Sequence, residues 1–455
     1  MSSGMNFFES DHPVALFLSP PIYDFALYDL FLRPYGLLRI ASWFQASGYH
    51  VRVVDALDPD LPLGGGRRRP KRKANGTGKF FRSPVSLPEG MAPIPRRYSR
   101  YGVPPAMLRS LLLDGPSPDV VFIAGGMTYW YQGVAEVAAL CRSLWQDIPI
   151  IVGGVYASLL PGHCNALPGV DLAIVGSPDA GSGAERLARL LGERALPVPE
   201  GAVPLFPLLH RAIMRNGAAP IRLNRGCPYR CDYCASHRLE PSWRGGDVEL
   251  LFSYVRELYE RYGVRNFAFY DDALLVDKER LFLPFLDMIL RKLPGLSFWT
   301  PNAMHLRFLD LETAILMRRA GFREARFGYE SESEAFHLEH DGKFRPSEAS
   351  RSFQALRRAG FKRSDVLLYV LGALPGQSRE ALFSAIKGGR ASGFGVQVAE
   401  FSPVPGSLLW NTCVEQSRYP IDREPLYQNN SFMPMEWEGL RREDLEEAKR
   451  FARMG

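Results

Sequence analysis

Short apolar runs alternate with segments of helical spacing along the first part of the chain. Their length and composition predict buried parallel strands at 14–19, 51–55, 120–124, 150–154 and 172–175. Apolar residues three and four positions apart predict helices between the strands, at 35–47, 131–145 and 184–191. This alternation predicts an α/β domain with a doubly wound, Rossmann-like parallel sheet over residues 1–200.

The alternation is interrupted between residues 58 and 115, where Pro, Gly and Arg are frequent. Such a length is unusual inside a compact domain, so we interpret the segment as a functional insertion or lid. It contains the basic run Arg67–Lys73, whose six positive charges equal the net charge of +6 of the chain. An acidic partner is one interpretation of this run. A solvated, mobile loop is favoured, because glycines flank the run on both sides.

Strand–helix alternation resumes in the second half of the chain. Strands are predicted at 220–223, 266–270 and 298–302, at 325–331, and at the start of the segments 366–376 and 396–406. Six such units are too few for a complete TIM barrel and predict a partial (β/α)6 TIM-like barrel over residues 201–408. A small C-terminal extension, residues 409–455, would follow, and we expect its aromatic residues mainly to pack.

Composition narrows the class of protein. With 46% hydrophobic and 23% charged residues, the chain is expected to form a globular protein with ample core. No run of about 18 apolar residues is present and no signal-peptide pattern opens the chain, so we expect no membrane span and a cytoplasmic location. Cys141, Cys164 and Cys413 are widely dispersed and do not indicate a disulfide scaffold.

The other three cysteines, Cys227, Cys231 and Cys234, follow the predicted strand 220–223 with the spacing CxxxCxxC. Thiolates are the usual ligands of iron–sulfur clusters, and three of them leave one iron of a cubane cluster without a protein ligand. That iron can chelate a small molecule that carries an amine and a carboxylate. Structural zinc sites use other spacings and a fourth ligand, so zinc is the less favoured alternative.

This triplet, with the aromatic Tyr233 just before its last cysteine, closely resembles the radical S-adenosylmethionine (SAM) superfamily. The resemblance implies a 4Fe–4S cluster on the three cysteines and SAM on its open iron. In that family an electron from the cluster cleaves SAM to a 5′-deoxyadenosyl radical, which takes a hydrogen from an unactivated carbon. The resemblance also implies SAM contacts from the aromatic residue and from strand ends, namely Tyr233, Asp271, Asp272, Asn302, Glu330, Ser331, Pro375 and Pro403. Taken singly, each strand-end residue is more simply a helix cap or a turn former.

The N-terminal alternation resembles the cobalamin-binding domain that precedes many radical SAM domains. The shared features are a strand that ends at Pro20 and Pro21, the segment after Tyr35, and the segment Gly153–Ser158 at a strand end. Ligands of such sheets bind at the carboxyl ends of strands, where glycine lets them approach the backbone. The resemblance implies cobalamin contacts from Pro21, Tyr23, Gly126, Thr128, Gly153, Gly154, Tyr156 and Gly176.

Two motifs are absent. Without GxGxxG at the first helix, a dinucleotide is not favoured. The DxHxxG motif, which supplies a lower cobalt ligand in some cobalamin proteins, is missing as well, and His50 and His163 are expected to be ordinary surface or loop histidines.

Together the resemblances imply a cobalamin-dependent radical SAM enzyme. The most direct interpretation is a methyltransferase acting on an unactivated carbon of a small-molecule or peptide substrate. The expected cofactors are a 4Fe–4S cluster, SAM and cobalamin, and the expected electron donor is an external flavodoxin- or ferredoxin-like protein. A related enzyme that cyclises or rearranges its substrate is an alternative, and so is a protein that binds corrin or cluster without catalysis.

A methylthiotransferase acting on transfer RNA is disfavoured. Such relatives need three N-terminal cysteines for a second cluster, and Cys141 and Cys164 cannot supply three. They also carry a basic C-terminal RNA module, whereas acidic residues offset the arginines of this C-terminus. No nucleic-acid partner is therefore expected.

Overall fold

The computed structural model describes residues 12–62, 69–178, 182–192, 206–343 and 345–454. The strands up to residue 173 are β1 (Val14–Ser19), β2 (Ile22–Asp24), β3 (His50–Asp55), β4 (Arg82–Pro84), β5 (Ser99–Tyr101), β6 (Val120–Gly125), β7 (Ile150–Gly154) and β8 (Leu172–Ala173). The helices of this part are α1 (Tyr35–Ala46), α2 (Pro105–Leu113), α3 (Tyr131–Leu144), α4 (Val155–Leu159), α5 (Pro161–Asn165) and α6 (Ser182–Leu191).

The first sheet is parallel throughout, with the strand order β3-β1-β6-β7-β8. Side chains alternate along the interior strand β1: Leu16 and Leu18 pack with α2, α3 and α4, whereas Ala15 and Phe17 pack with α1 and α6. A strand covered on both faces explains why β1 is apolar at nearly every position. The predicted doubly wound sheet is confirmed.

The second half of the chain forms the predicted partial barrel. Its strands are β9 (Ala218–Ile221), β10 (Asn224–Arg225), β11 (Arg244–Gly245), β12 (Asn266–Phe269), β13 (Ser297–Trp299), β14 (Met304–His305), β15 (Ala325–Glu330), β16 (Val366–Gly372) and β17 (Gly395–Glu400). Two parallel sheets, ordered β13-β12-β9 and β14-β15-β16-β17, make its wall. A single bridge between Phe298 and Phe322 links the strand β13 to the segment before β15.

The helices of the barrel lie between successive strands, and all but two short ones pack against the sheets. They are α7 (Ser236–Leu239), α8 (Val248–Tyr262), α9 (Phe282–Lys292), α10 (Leu311–Ala320), α11 (Glu334–His340), α12 (Pro346–Arg358) and α13 (Arg379–Ala391). Helix α8 shows how the sequence sets their limits, since the Asp247 side chain accepts the Leu250 amide at its start and Gly263 ends it in a left-handed conformation (φ 66°). Buried residues of these helices and strands form one continuous core.

The insertion between β3 and β6 is folded against the first sheet. Strand β5 pairs with β2 and with β4 in antiparallel fashion, and Tyr98, Arg100 and Val103 are buried. Part of the basic run also departs from the expected solvated loop. Arg72 donates to the buried Asp29 at 2.6 Å, whereas Lys71 and Lys73 are exposed. Arg67 and Arg68 lie outside the described residues.

The C-terminal extension contains α14 (Trp410–Gln416), two short 3-10 turns and α15 (Arg442–Arg453). Helix α15 packs against α13 and β17. Phe432 and Tyr427 pack with Phe25 and Tyr98 of the N-terminal part in one aromatic cluster. The extension thus holds the two halves of the chain together, as its expected packing role implies. Among the described residues, no helix has the length and apolar character needed to cross a membrane.

Candidate functional site

The cysteine loop follows β9 and lies between β10 and α7. Cys231 is buried, whereas Cys227 and Cys234 are partly exposed. Burial raises the pKa of the Cys231 thiol to about 12, and the neighbouring Cys227 and Cys234 add to this increase because like charges at close range oppose each other. The three sulfurs therefore face a common region.

This donor set suits an iron–sulfur cluster. It consists of thiols alone, which are the ligands that such clusters use. In the described part of the chain, no three His, Cys, Asp or Glu side chains are close enough together to hold a single metal ion. The assignment of a 4Fe–4S cluster to these three cysteines therefore stays a prediction from their spacing and residue type.

Lys343 lies behind the cysteine loop, where its charge is neutralised. Its Nζ is 2.9 Å from Oε1 of Glu330 and 5.2 Å from the centre of the Tyr233 ring. Its positive charge opposes the burial-driven rise in the pKa of Cys231. The Tyr233 hydroxyl donates to Oδ2 of Asp341 at 2.7 Å. Glu330 and Tyr233, both expected near SAM, therefore belong to one network that reaches the cysteines.

The backbone at Glu330 is unusual. Its φ is +57°, in the left-handed region, and the register of β15 against β16 shifts between Gly328 and Glu330. A residue other than glycine pays a steric cost for this conformation, and such residues cluster at functional sites. The bulge turns the carboxylate toward Lys343 at the end of the strand.

The two aspartates after β12 have different roles. Asp271 is 3% exposed, and its carboxylate accepts the backbone amides of Leu223 (2.9 Å) and Asn224 (2.6 Å). It fastens the segment that leads into the cysteine loop, and its contact with SAM stays a prediction. Asp272 lines the cavity described below, 3.7 Å from Arg222, and burial raises its pKa. Asn302 joins it at this strand end, since its Nδ2 donates to the Tyr270 carbonyl at 3.2 Å.

The other expected SAM contacts lie in turns. The Ser331 hydroxyl accepts the Ser333 amide at 3.1 Å, which is the turn-forming role that the residue type favours by itself. Pro375 is half-buried and Pro403 is buried in the turns after β16 and β17. Their neighbours, Leu374 and Phe401, pack in the aromatic cluster that also includes Tyr233.

A cavity of about 470 Å³ separates the carboxyl ends of the first sheet from the barrel. Five of the eight residues expected to contact cobalamin line it, namely Pro21, Gly126, Gly153, Gly154 and Gly176. A Cβ atom added at Gly153 or Gly176 would meet no atom within 4 Å, so a ligand can approach the backbone there. The barrel contributes residues of its own, including Tyr270 and Asp272.

The remaining three residues expected to contact cobalamin do not line this cavity, and their contact with cobalamin stays a prediction. Tyr23 donates to Oε2 of Glu136 at 2.8 Å. Thr128 is buried and donates to Gln428 of the C-terminal extension. Tyr156 is fully buried, with its hydroxyl 2.6 Å from Nδ1 of His163. Each side chain points away from the cavity because its polar atom is bound to another partner.

No histidine is among the described residues that line the cavity. His50 is exposed at the amino end of β3, and His163 lies on α5 beside Tyr156. The residues present therefore fit a flat ligand cradled by backbone, without an imidazole from this chain on its lower face.

Sequence reasoning missed two groups of residues. Lys343 and Asp341 follow α11 and not a strand end, so the strand-end rule could not find them. The second group is a set of buried ion pairs below the cavity: Arg33 binds Asp29 at 2.8 Å, and Arg215 lies 3.3 Å from Asp55. The i,i+4 spacing of Asp29 and Arg33 was the one available signal.

Comparison with known proteins identifies the type of domain that the barrel forms and the fold of the chain. Residues 221–387 match the Radical SAM superfamily. The chain is 25% identical over 358 residues to an uncharacterized methyltransferase of Pyrococcus horikoshii, covering 70% of this chain and 72% of that protein. It is 27% identical over 118 residues to an anaerobic magnesium-protoporphyrin IX monomethyl ester cyclase of Synechocystis, covering 26% of this chain and 23% of that protein.

Two solved structures are similar over most of the chain. One is the radical SAM methyltransferase TsrM of Kitasatospora setae with tryptophan and a SAM analogue bound (TM-score 0.63, 15% identity, 94% of this chain and 84% of that one). The other is the cobalamin-dependent radical SAM enzyme OxsB with aqua-cobalamin and SAM bound (TM-score 0.56, 13% identity, 91% of this chain and 56% of that one). At these identities the likeness establishes the fold. The chain therefore contains a radical SAM domain at residues 221–387, within the fold that those two enzymes share.

Proposed function

We propose that the chain is a cobalamin-dependent radical SAM enzyme that methylates an unactivated carbon of a small-molecule or peptide substrate. The observation that carries the proposal is the single cavity between the two sheets. It joins the glycine-lined strand ends of the first sheet to Asp272 of the barrel, close to the cysteine loop. Two cofactors bound at these two edges would face the same space.

The cysteine loop supports the radical step. Cys227, Cys231 and Cys234 would hold a 4Fe–4S cluster, which when bound supplies the electron that cleaves SAM to a 5′-deoxyadenosyl radical. Asp272 is the carboxylate available to the SAM amine, because a charge-assisted hydrogen bond suits a cation. Tyr233 would pack beside the adenine, with its hydroxyl fixed by Asp341. A flavodoxin- or ferredoxin-like protein would supply the electron to the cluster.

The glycine-lined edge supports the corrin. Backbone at Gly153 and Gly176 faces open space and would allow a broad, flat cofactor to lie against the strand ends. When bound there, methylcobalamin would supply the methyl group. The chain shares its fold with TsrM and OxsB, whose solved structures contain bound cobalamin, and this is consistent with the assignment.

The alternatives differ in how the structure bears on them. A cyclising or rearranging enzyme would use the same residues, and the similarity of 118 residues to a cyclase keeps it as the second candidate. A methylthiotransferase is less favoured still, because Cys141 and Cys164 are fully buried in the core of the first sheet and are not available for a second cluster.

Anaerobic reconstitution tests the proposal. The protein is loaded with iron and sulfide, then incubated with SAM, dithionite and hydroxocobalamin, and the products are analysed by mass spectrometry. We expect release of 5′-deoxyadenosine and retention of cobalamin through gel filtration. Absence of 5′-deoxyadenosine would exclude the radical step, and loss of the corrin on the column would exclude the cobalamin assignment.

Two cysteine variants provide a matched control. Cys231→Ala should lose the visible absorbance of the cluster and release no 5′-deoxyadenosine. Cys141→Ala removes a buried thiol in the first sheet and should retain both. If Cys231→Ala kept the cluster absorbance, the cysteine triplet would not be the cluster site.

A further inference from the structure

Arginine is the prominent charged residue of the cavity between the sheets. Five arginines line it, against the carboxylates of Glu240 and Asp272 among the described lining residues, and they are Arg33, Arg39, Arg215, Arg222 and Arg225. Bringing like charges together in a partly dry space raises their free energy. Each of these arginines therefore needs a balancing partner, either in the protein or in a ligand.

Two of the five are explained by the fold. Arg33 binds the buried Asp29 at 2.8 Å, and Arg215 lies 3.3 Å from Asp55 and donates to the Leu57 carbonyl at 2.8 Å. These pairs lie below the cavity and connect the first sheet to the segment before β9. Their charges are balanced inside the protein.

The other three lie close to one another beside the cysteine loop. Arg39 is on α1, and its pKa is lowered by burial and then by the charges of Arg225 and Arg222. Nη1 of Arg222 is 3.6 Å from Oε1 of Glu240, and its Nη2 is 3.7 Å from Oδ2 of Asp272. Nε of Arg225 is 3.6 Å from Oε1 of Glu240. These N···O separations exceed those of hydrogen bonds, so the carboxylates balance charge without engaging the guanidinium forks. The Nε of Arg222 donates to the Asn224 carbonyl at 3.0 Å, which leaves its two Nη groups for a ligand.

The start of α1 adds to the positive potential. The helix begins at Tyr35 on the cavity wall, with no side-chain hydrogen bond that caps it. The partial positive charge of a helix amino end favours anions. A Cβ atom at Gly36 would meet nothing within 4 Å, so the first turn of the helix is open to the cavity.

We propose that Arg222 and Arg225, together with Arg39, bind an oxyanion group, a carboxylate or a phosphate, of a molecule held in this cavity. A guanidinium presents paired N–H donors that match both groups bidentately. The inference deepens the proposed function by naming the chemistry of a ligand, and rests on it for the cofactors expected there. Three sources share that chemistry: the phosphodiester of the cobalamin nucleotide, the carboxylate of SAM, and an acidic substrate.

Inorganic phosphate and pyrophosphate are the first probes, titrated calorimetrically at low salt into the anaerobically reconstituted protein. We expect Arg222→Gln and Arg225→Gln each to weaken binding about tenfold or more, because a hydrogen bond to a charged group contributes about 1.5–3 kcal/mol. Arg225→Lys should bind with intermediate affinity, since it keeps the charge and loses the fork. Arg109→Gln, an exposed arginine on α2, should bind as the wild type does.

Binding of larger ligands then identifies the source. Hydroxocobalamin is compared with cobinamide, which lacks the nucleotide phosphodiester, and SAM with its decarboxylated form. If the variants lose affinity for hydroxocobalamin but not for cobinamide, the arginines bind the phosphodiester. If they lose affinity for SAM but not for its decarboxylated form, the arginines bind the SAM carboxylate. If the variants bind phosphate more weakly but bind cobalamin and SAM as the wild type does, the oxyanion belongs to the substrate. All three results support the inference.

Two results would overturn it. One is phosphate binding that is equal in the wild type and in both glutamine variants. The other is an equal loss of affinity for cobalamin, cobinamide and both SAM forms, which would mean that the arginines only support the cavity wall. Melting temperatures check that the variants are folded. Phosphate binding needs no reductant, so a chain that binds phosphate through these arginines but releases no 5′-deoxyadenosine would refute the proposed function and leave this inference standing.

Discussion

The two strand edges that face the cavity offer a ligand different things. The edge of the first sheet presents glycines such as Gly153 and Gly176, with open space where side chains would stand. The barrel edge presents charged side chains such as Arg222 and Asp272, and the buried pair of Glu330 and Lys343 lies at the end of strand β15 of the same barrel. We expect the first edge to recognise shape and the second to recognise charge, so that the same kind of strand terminus would serve two forms of recognition.

Breaking the charged edge should have the largest effect. Lys343→Met leaves Glu330 without its cation, and the two side chains are only 13% and 10% exposed. An unpaired buried charge costs about 3–5 kcal/mol, so we expect a clear fall in the free energy of unfolding, measured with urea. Combining it with Glu330→Gln should recover much of the loss. If Lys343→Met by itself were as stable as the wild type, the ion pair would have to be exposed to solvent.

Filling the open edge should have the next largest effect. Gly153→Leu places a side chain in the space where the corrin would lie, and the resulting overpacking should weaken cobalamin binding about 10–100-fold. Gly162→Leu is the control, because this glycine is exposed on α5 away from the cavity and an added Cβ also meets nothing within 4 Å. Equal affinity of the two variants for hydroxocobalamin would contradict recognition by shape at this edge.

Asp271 gives the charged edge a pH dependence. Burial raises its pKa from 3.8 to about 7. The folded protein thus favours the protonated form, and the stability that this form contributes is present below pH ~4 and lost as the pH rises toward ~7. Asp271→Asn should be less stable at pH ~5, and the gap in urea midpoints should narrow by pH ~7. A gap that widens over this range would show that the carboxylate is ionised when folded.

The smallest effect is expected at Tyr156, which lies behind the open edge. Tyr156→Phe removes the hydroxyl that contacts His163 and should cost about 1 kcal/mol of stability. Its affinity for hydroxocobalamin should match that of the wild type, because the ring does not line the cavity. A marked loss of cobalamin would return this residue to the binding site.

The sequence was sufficient for much of the fold. Period-two and period-3.6 patterns depend on neighbours along the chain, so the strands of both sheets and the cysteine loop could be predicted. The insertion was harder, because β4 and β5 are short, and β5 pairs with β2, a strand far from it in sequence. The ion pair of Arg72 with Asp29 spans 43 residues, and no local pattern reports it.

The site was predicted less completely, for a geometric reason. Neighbouring residues at a strand end point in opposite directions, so Asp271 and Asp272 look alike in sequence while one faces backbone amides and the other the cavity. Tyr156 illustrates the same limit, since it belongs to the recognised segment after Gly153 but packs inward. Glycines carry no such ambiguity, because it is their backbone that meets the ligand.

The contact between Asn429 and Asp24 has a consequence for how the protein matures. Asp24 is a buried carboxylate, and its side-chain hydrogen-bond donors are Trp130 at 2.6 Å and Asn429 at 3.1 Å. The ribosome adds Asn429 only 405 residues after Asp24. The N-terminal half therefore cannot complete its hydrogen bonding until the C-terminal segment has emerged and docked.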